Sequence, residues 1–206
     1  MILLTNYFKA PDIERMTEID VCLDKNLSNP IIKRVVVFLE DGAKLEKLHH
    51  NLSVVSLNHR ILYNGYFQYA NSNYSNDVVV VANNDVYFDD TLDLVNKVNL
   101  NNVFIALGKG KDVDVNGKVV RPYCPTVDSQ DCWMFRAPIR AFKSDWTQGV
   151  PGCDNRLVYE ARAVGYKVIN PILSINSYHL HASKVRYYNL SQFIGGPYDT
   201  CLASAI

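Results

Sequence analysis

The chain has 206 residues, of which 48% are hydrophobic, and this composition predicts a globular protein with a sizeable core. Its 21 Lys and Arg residues balance its 21 Asp and Glu residues, so the formal net charge is zero. Because nucleic-acid-binding proteins normally carry a basic excess, we expect no nucleic-acid partner. The N-terminus lacks the basic region of a signal peptide, and no apolar run reaches the roughly 18 residues of a membrane span. We therefore expect a cytoplasmic protein without a membrane span, whose five cysteines are reduced thiols and not zinc ligands.

Short apolar strands alternate with amphipathic helices in the first half of the chain. Strands are predicted at residues 2–4, 35–39, 54–57, 78–82 and 103–107. Helices are predicted at residues 11–26, 61–74 and 91–98, and the proline and acids at 11–14 favour the start of the first. This alternation favours parallel strands joined by helical crossovers.

The second half of the chain adds antiparallel elements. The dipeptide Asn116-Gly117 between two valine-rich runs predicts a β-hairpin over residues 113–120. Further strands are predicted at 132–135, 168–169 and 172–175, and a helix at 154–164 with Asp154 as its N-cap. We therefore predict an α/β fold in one domain over residues 1–206, with a mixed, mainly parallel sheet and helices on both faces. The apolar end at 202–206 leads us to expect that this domain is the N-terminal part of a longer protein.

Residues 78–89, with the sequence VVVVANNDVYFD, are the most informative segment for function. Four valines in a row predict a strand that is buried on both faces, as in a parallel sheet. The strand ends in Asn83-Asn84-Asp85, and the carboxyl ends of such strands are where open α/β sheets bind ligands. Asn and Asp oxygens are ligands that suit Mg²⁺ or Mn²⁺ and a metal-bound diphosphate. The alternative interpretation is a strand followed by an ordinary Asx-rich turn.

Three later segments supply further polar groups. Asp131 and Trp133 alternate with apolar residues on a predicted strand, so they could face a sugar, although a strand with one polar face explains the pattern equally well. Asp154 follows a Gly/Pro turn at a helix start, where it is either a functional acid or only the N-cap. His179 and His181 lie two residues apart on an extended segment and so face the same side, where one could complete a metal shell with Asp85. The alternative is a pair of histidines with purely structural hydrogen bonds.

Together these segments resemble the GT-A glycosyltransferases, single-domain α/β enzymes that use nucleotide sugars. In that family a buried strand ends in a D-x-D motif that holds Mn²⁺ or Mg²⁺ on the donor diphosphate. Here Asn83-Asn84-Asp85 occupies that place, with asparagine in the first acidic position. The resemblance implies a cation bound by Asp85, with His179 or His181 as a further ligand or phosphate contact.

The resemblance also implies roles for residues around the cation. The implied donor-binding residues are Thr5, Asn6, Tyr7, Arg60, Asn83, Asn84 and Trp133. The implied catalytic residues are Asp154 and Asp131. Asp154 would be the general base on the acceptor hydroxyl if the reaction inverts the anomeric centre, and would orient hydroxyls if it retains it. Residues 108–128 would form a lid over the donor.

The chain further resembles the N-terminal glycosyltransferase domains of multidomain enzymes of large chlorella viruses, which glycosylate their capsid protein. This resemblance implies a UDP-sugar donor carrying a hexose or deoxyhexose of the glucose or rhamnose type. It also implies a glycan or glycoprotein acceptor and action in the host cytoplasm.

Two other functions remain open at this stage. A sugar-1-phosphate nucleotidyltransferase has a similar sheet, but it usually carries a glycine-rich phosphate loop after its first strand, where this chain has Asn-Tyr-Phe-Lys-Ala-Pro at residues 6–11. A non-catalytic carbohydrate-binding domain is compatible with the neutral Asn83. Pyrophosphate release and donor hydrolysis are the observations that separate these functions.

Overall fold

The computed structural model describes residues 1–122, 127–183 and 192–206. Its strands are, in chain order, β1 (Ile2–Tyr7), β2 (Arg34–Leu39), β3 (Leu52–Ser56), β4 (Val78–Ala82), β5 (Val86–Phe88), β6 (Val103–Gly108), β7 (Lys111–Val113), β8 (Val119–Arg121), β9 (Gln130–Arg136), β10 (Lys167–Ile169) and β11 (Ser177–His179). Its helices are α1 (Ile13–Leu27), α2 (Tyr63–Asn73) and α3 (Cys153–Ala163), with a 3-10 helix at Asp90–Lys97. Among the described helices, none is long and apolar enough to cross a membrane.

The central sheet is mixed and mainly parallel. In the described chain it has seven strands in the order β10-β6-β9-β4-β1-β2-β3. Strands β1, β2, β3 and β4 run parallel to one another, as do β6 and β10, while β9 runs antiparallel between β4 and β6. All five residues of β4 are buried, because strands flank it on both sides and helices cover both faces.

Helices lie on both faces of this sheet, as predicted. On one face α2 and α3 contribute apolar side chains such as Tyr66 and Leu157 to one hydrophobic cluster. On the other face α1 and the 3-10 helix contribute Ile19, Leu23 and Leu92 to a second cluster. Burial of these two apolar stripes against the sheet fixes the three-layer arrangement.

A smaller sheet stands at the carboxyl edge of β4. In the described chain its strand order is β5-β11-β7-β8. Strand β5, which the sequence pattern did not predict, pairs antiparallel with β11 and sets Val86 opposite His179. The predicted hairpin is confirmed, since β7 and β8 are antiparallel and Gly117 has the positive φ of +80° that the turn requires. This sheet delivers the segment after β11 to the end of β4.

One strand prediction was wrong, and one helix prediction is refined by the structure. Residues 172–175 form a turn, because the amides of Ser174 and Ile175 both donate to the carbonyl of Pro171. The strand begins later, at Ser177. The predicted helix at 91–98 is a 3-10 helix, and the Asp89 carboxylate caps it by accepting from the amide of Thr91 at 3.0 Å.

The start of α3 also differs from the prediction. Gly152, and not Asp154, occupies the N-cap position, with a φ of +83°. A side chain there would be strained, and its Cβ would lie 2.6 Å from the carbonyl oxygen of Ile194. Asp154 therefore lies in the first turn of the helix, with a carboxylate that is not engaged in capping.

Candidate active site

A cleft of about 410 Å³ opens at the carboxyl edge of the central sheet. Because β1 and β4 are parallel neighbours, Asn6 and the turn of residues 83–85 meet at this edge. Strand β9 is antiparallel to β4, so it begins where β4 ends and brings Asp131 to the same place. The first turn of α3 lines the cleft with Asp154, and the segment after β11 lines it with His181.

Asp85, His179 and His181 form a group that could hold a metal ion. Their ligand atoms all lie within 4.8 Å of one another. Asp85 Oδ2 is 3.3 Å from His179 Nε2 and 3.3 Å from His181 Nδ1. The two imidazole rings stack with centroids 5.4 Å apart, as expected for residues i and i+2 of an extended segment.

The small sheet explains why these three groups meet. His179 pairs with Val86, the residue after Asp85, and the Leu180 amide donates to the Asp85 carbonyl at 2.8 Å. These backbone hydrogen bonds fix the two histidines against the turn that ends β4. The predicted grouping of Asp85 with both histidines is therefore present in the fold.

The surroundings of Asp85 favour its ionised form. Burial raises its pKa, but the charges and hydrogen bonds of His179, His181 and Arg15 outweigh burial and hold that pKa well below its ordinary value. For His179, burial lowers the pKa, whereas Asp85, Asp131 and a 2.9 Å contact with Asp112 raise it to about 10. These carboxylates favour the protonated form of His179, and Nε2 can bind a metal only after it loses that proton.

Two charged residues of α1 also enter this site, and the sequence analysis did not identify either. Arg15 Nη2 donates to Asp85 Oδ2 at 2.7 Å, and Arg15 Nη1 donates to Glu18 Oε2 at 2.9 Å. Both side chains are buried, at 6% and 1% exposure. A signal existed, since Arg15 and Glu18 lie on the same helical stripe as the apolar Ile19 and Cys22, where an unpaired charge would be costly.

The two asparagines of the turn and Asp131 form the middle of the cleft. The Asn83 amide donates to the Asp131 carbonyl at 3.0 Å, and Asn83 Nδ2 lies 3.5 Å from Asp131 Oδ1. Asn84 is 9% exposed, and its Nδ2 has no partner among the described residues. Burial, followed by the charge of Asp85, raises the pKa of Asp131, although His179 and Lys109 lower it in part. The turn thus presents amide groups beside a carboxyl group whose pKa is raised by burial.

Asp154 lies at the opposite wall of the cleft. Its Oδ2 accepts from the Gln130 amide at 3.3 Å, and its Oδ1 accepts from the Cys153 thiol at 3.2 Å. Burial, together with the charges of Asp131 and Asp128, raises the pKa of Asp154 to about 7 against these hydrogen bonds. A carboxyl group with this pKa exchanges protons readily at neutral pH.

Of the expected donor-binding residues on β1 and just before α2, two line the cleft. Asn6 does so, and Arg60 does so while its Nη2 donates to the Gln148 carbonyl at 2.6 Å. Thr5 and Tyr7 do not, because they lie on the alternate face of β1. Thr5 Oγ1 donates to the Ala82 carbonyl, and the Tyr7 hydroxyl donates to Asp20 of α1. The structure thus directs both side chains away from the cleft, and their expected contact with a nucleoside stays a prediction.

Trp133 requires a correction. It is 0% exposed and packs in the core under α2, where its Nε1 donates to the Tyr63 hydroxyl at 3.1 Å. Because the ring is covered by helices, it cannot stack on a sugar in the cleft. Lys109, which the sequence analysis did not single out, does line the cleft and pairs with Asp112 at 3.1 Å.

The expected lid of residues 108–128 falls partly outside the described chain, because residues 123–126 are not among the described residues. Its described part contains Lys109 and the β7–β8 hairpin. Its role as a lid stays a prediction.

Comparisons with known proteins support the fold. No family model matches the chain, and no curated protein matches it in sequence. In structure the chain is similar to the mannosyltransferase PcManGT from Pyrobaculum calidifontis in complex with GDP-Man and Mn²⁺, with a TM-score of 0.55 and 14% identity. The match covers 88% of this chain and 56% of that chain. HddC from Yersinia pseudotuberculosis is also similar, with a TM-score of 0.38, 10% identity and coverage of 66% of this chain and 74% of that chain, which is too weak to support an argument.

The similarity to the mannosyltransferase is one of fold, since the identity is low. It confirms the predicted fold class: the chain has a GT-A-type fold, which resembles that of a mannosyltransferase solved in complex with GDP-Man and Mn²⁺. The chain spans a little over half the length of that protein. The expected relationship to chlorella-virus enzymes stays a prediction.

Proposed function

We propose that the protein is a metal-dependent glycosyltransferase that moves a hexose or deoxyhexose from a nucleotide sugar to a glycan or glycoprotein acceptor. The observation that carries this proposal is the convergence of Asp85, His179 and His181 at the carboxyl end of β4, in a cleft that Asp131 and Asp154 also line. Open α/β sheets bind their ligands at this edge. A UDP-sugar of the glucose or rhamnose type, used for viral capsid glycans in the host cytoplasm, is the finer proposal and rests on the sequence resemblance.

The donor set fits Mn²⁺ better than Mg²⁺. Mg²⁺ strongly prefers oxygen ligands and retains several waters, whereas imidazole nitrogens suit metals later in the first transition row. Asp85 offers one carboxylate, and His179 and His181 offer two imidazoles within 4.8 Å. A bound cation would act as a Lewis acid toward the diphosphate leaving group.

The chain's own residues supply the remaining chemistry. Arg60 and Lys109 line the cleft and give it positive charge that favours a diphosphate. Asp131 lines the cleft, where its carboxylate is suited to accept a hydrogen bond from a sugar hydroxyl. Asp154, whose pKa is about 7, is suited to take the proton of the acceptor hydroxyl if the reaction inverts the anomeric centre.

A donor-hydrolysis screen tests the proposal directly. UDP- and GDP-linked sugars are incubated with the protein, with Mn²⁺, with Mg²⁺ or with a chelator, and the released nucleotide is identified. We expect release with at least one donor, more with Mn²⁺ than with Mg²⁺, and loss of release in Asp85→Asn. The matched control is Asp90→Asn, an exposed acid five residues away that does not line the cleft and should keep full activity.

Three other outcomes would contradict the proposal. Nucleotide release that needs no metal and persists in Asp85→Asn would contradict the proposed cation site. Pyrophosphate release from a nucleoside triphosphate and a sugar 1-phosphate would identify a nucleotidyltransferase. Donor binding without hydrolysis or transfer to any glycan would favour a non-catalytic carbohydrate-binding domain.

A further inference from the structure

The guanidinium of Arg15 contacts two of the three side chains of the candidate metal site. Its Nη2 is 2.7 Å from Asp85 Oδ2, and its Nη1 is 3.0 Å from His181 Nδ1. Since arginine can only donate, His181 Nδ1 accepts this hydrogen bond in the tautomer that carries its proton on Nε2, whereas in the other tautomer Nδ1 donates to Asp85 Oδ2, 3.3 Å away. Asp85 and His181 are two of the three residues of the candidate metal site, so Arg15 lies directly against that site.

The position of Arg15 is set by α1 and is not incidental. Glu18, one turn further along the helix, accepts from Arg15 Nη1 at 2.9 Å. Glu18 also accepts from the amide of Ser183 at 2.7 Å and from its hydroxyl at 3.0 Å, two residues after His181. The Arg15–Glu18 pair therefore connects α1 to the ends of both β4 and β11.

A divalent cation and a guanidinium cannot both occupy these atoms. The site is buried, so the two positive charges would repel each other strongly at a separation of a few ångströms. Arg15 must therefore move away from Asp85 Oδ2 and His181 Nδ1 when a cation binds. A nearby acceptor for it would be an anion in the cleft, which Arg15 lines. Arg15 Nε, which is buried and has no partner in the described chain, provides a further donor for such an anion.

We propose that Arg15 is an internal cation that occupies the site before the metal arrives and is transferred to the donor diphosphate when the metal binds. The inference rests on the cation site of the proposed function. It makes metal and nucleotide diphosphate bind cooperatively: the metal alone must displace Arg15, whereas the diphosphate gives Arg15 a new partner. By linkage, the diphosphate raises the affinity for the metal as much as the metal raises the affinity for the diphosphate.

The test is a measurement of Mn²⁺ affinity by electron paramagnetic resonance, without nucleotide and with UDP or GDP at saturation. Three proteins are compared: wild type, Arg15→Gln, which keeps a hydrogen-bond donor and loses the charge, and Arg15→Lys, which keeps the charge. Without nucleotide we expect Arg15→Gln to bind Mn²⁺ about tenfold more tightly than wild type, within the usual range of coupling between sites. Arg15→Lys should stay within about threefold of wild type, because a lysine ammonium repels the metal as well. The increase in Mn²⁺ affinity caused by nucleotide should shrink in Arg15→Gln.

The structure suggests that Arg15→Gln folds, since Asp85 keeps both histidines and Glu18 keeps Ser183 as partners. Wild-type protein gives a second test that does not need Arg15→Gln and uses Arg15→Lys only to assign a signal. Diamagnetic Zn²⁺ should shift the NMR signal of the Arg15 Nε–H group, assigned as the arginine signal absent from Arg15→Lys.

Each result separates this inference from the proposed function. Equal or weaker Mn²⁺ binding by Arg15→Gln, or an Arg15 signal that Zn²⁺ leaves in place, would overturn the role of Arg15 and leave the cation site standing. Equally tight binding by Arg15→Lys and Arg15→Gln would show that charge is not the cause and would overturn it too. No Mn²⁺ binding by any of the three proteins, even with nucleotide, would overturn the cation site and this inference together.

Discussion

The two sides of the cleft use the same residue type in opposite ways. On one side, a cation corner made of Asp85, His179, His181 and Arg15 surrounds one carboxylate with positive groups and holds its pKa well below the ordinary value. On the other side, an acid wall made of Asp131 and Asp154 places carboxyl groups near one another in a buried setting, and the pKa of Asp154 rises to about 7.

This difference suits the two sides of the cleft to different roles, cation binding and proton transfer. A carboxylate that stays ionised binds cations, whereas one that titrates near neutral pH transfers protons. The two behaviours come from the environment that the fold gives each carboxyl group, because the aspartate side chains are chemically identical. The predictions that follow test whether the environments of Asp85 and Asp154 differ in this way.

The largest expected effect is on stability at the cation corner. Asp85→Ala removes the carboxylate shared by Arg15 and both histidines, and leaves buried positive groups without their partner. Breaking one partner of a buried ion pair typically costs about 3–5 kcal/mol, so we expect a loss of this size in the free energy of unfolding. Urea unfolding measures it, with Asp90→Ala as an exposed control that should change stability by less than about 0.5 kcal/mol. A loss below about 1 kcal/mol for Asp85→Ala would mean that Arg15 and the two histidines are not stabilised by the Asp85 carboxylate.

The next effect concerns turnover at the acid wall. Asp154→Asn keeps the size and hydrogen-bond acceptor of the side chain but cannot take a proton. If Asp154 is the general base, kcat should fall by about 100-fold or more, while the KM for the donor stays nearly unchanged. The exposed Asp145→Asn is the matched control, since Asp145 does not line the cleft. A change confined to KM would assign Asp154 to substrate positioning.

The pH dependence of stability gives a separate measure of the acid wall. The pKa of Asp154 is about 7 in the folded protein, against 3.8 ordinarily, so the folded state holds the extra proton between these values. Stability that this group contributes is therefore complete below about pH 4 and is lost as pH rises through about 7. Asp154→Asn lacks this loss. Allowing for its partial exposure to the cleft, we expect the variant to gain about 2 kcal/mol relative to wild type between pH 4 and pH 8.

The titratable groups around Asp154 also affect this pH dependence. The titratable groups that face Asp154 are Cys153 on its own helix, Asp131 of β9, Asp128 and Tyr63 of α2. Asp131→Asn should lower the pKa of Asp154, because it removes a nearby negative charge. Unfolding curves for Asp154→Asn that run parallel to wild type at every pH would contradict the raised pKa.

Much of the fold could be predicted from the sequence because its strongest patterns are local. The run Val78–Ala82 is a buried strand as predicted, and the residues after it lie at the edge where ligands bind. Turn chemistry at Asn116-Gly117 correctly gave a hairpin. At residues 172–175 an apolar run alone gave the wrong element, because the amides of Ser174 and Ile175 close a turn on the Pro171 carbonyl.

The site was harder to predict, because it depends on contacts between distant segments. Strand β5 has three residues and little pattern, yet its pairing with β11 brings the histidines to Asp85. Arg15 and Glu18 lie in the apolar stripe of a helix, and only the structure shows the carboxylate and histidine that they meet. Alternation along β9 correctly grouped Trp133 with Asp131 on one face, but it cannot tell that helices cover the tryptophan.

The smallest expected effect tests the same alternation on β1, the strand that feeds the cleft. Asn6 lines the cleft, while Thr5 and Tyr7 donate to protein groups elsewhere. Asn6→Ala should weaken donor binding several-fold, whereas Thr5→Val and Tyr7→Phe should leave the donor Kd within about twofold, because neither hydroxyl reaches the cleft. Each of these two variants should instead lose about 1 kcal/mol of stability, the usual net value of one hydrogen bond. Isothermal titration with the donor and urea unfolding separate the two effects, and a several-fold weaker Kd for Tyr7→Phe would mean that the side chain turns toward the donor on binding.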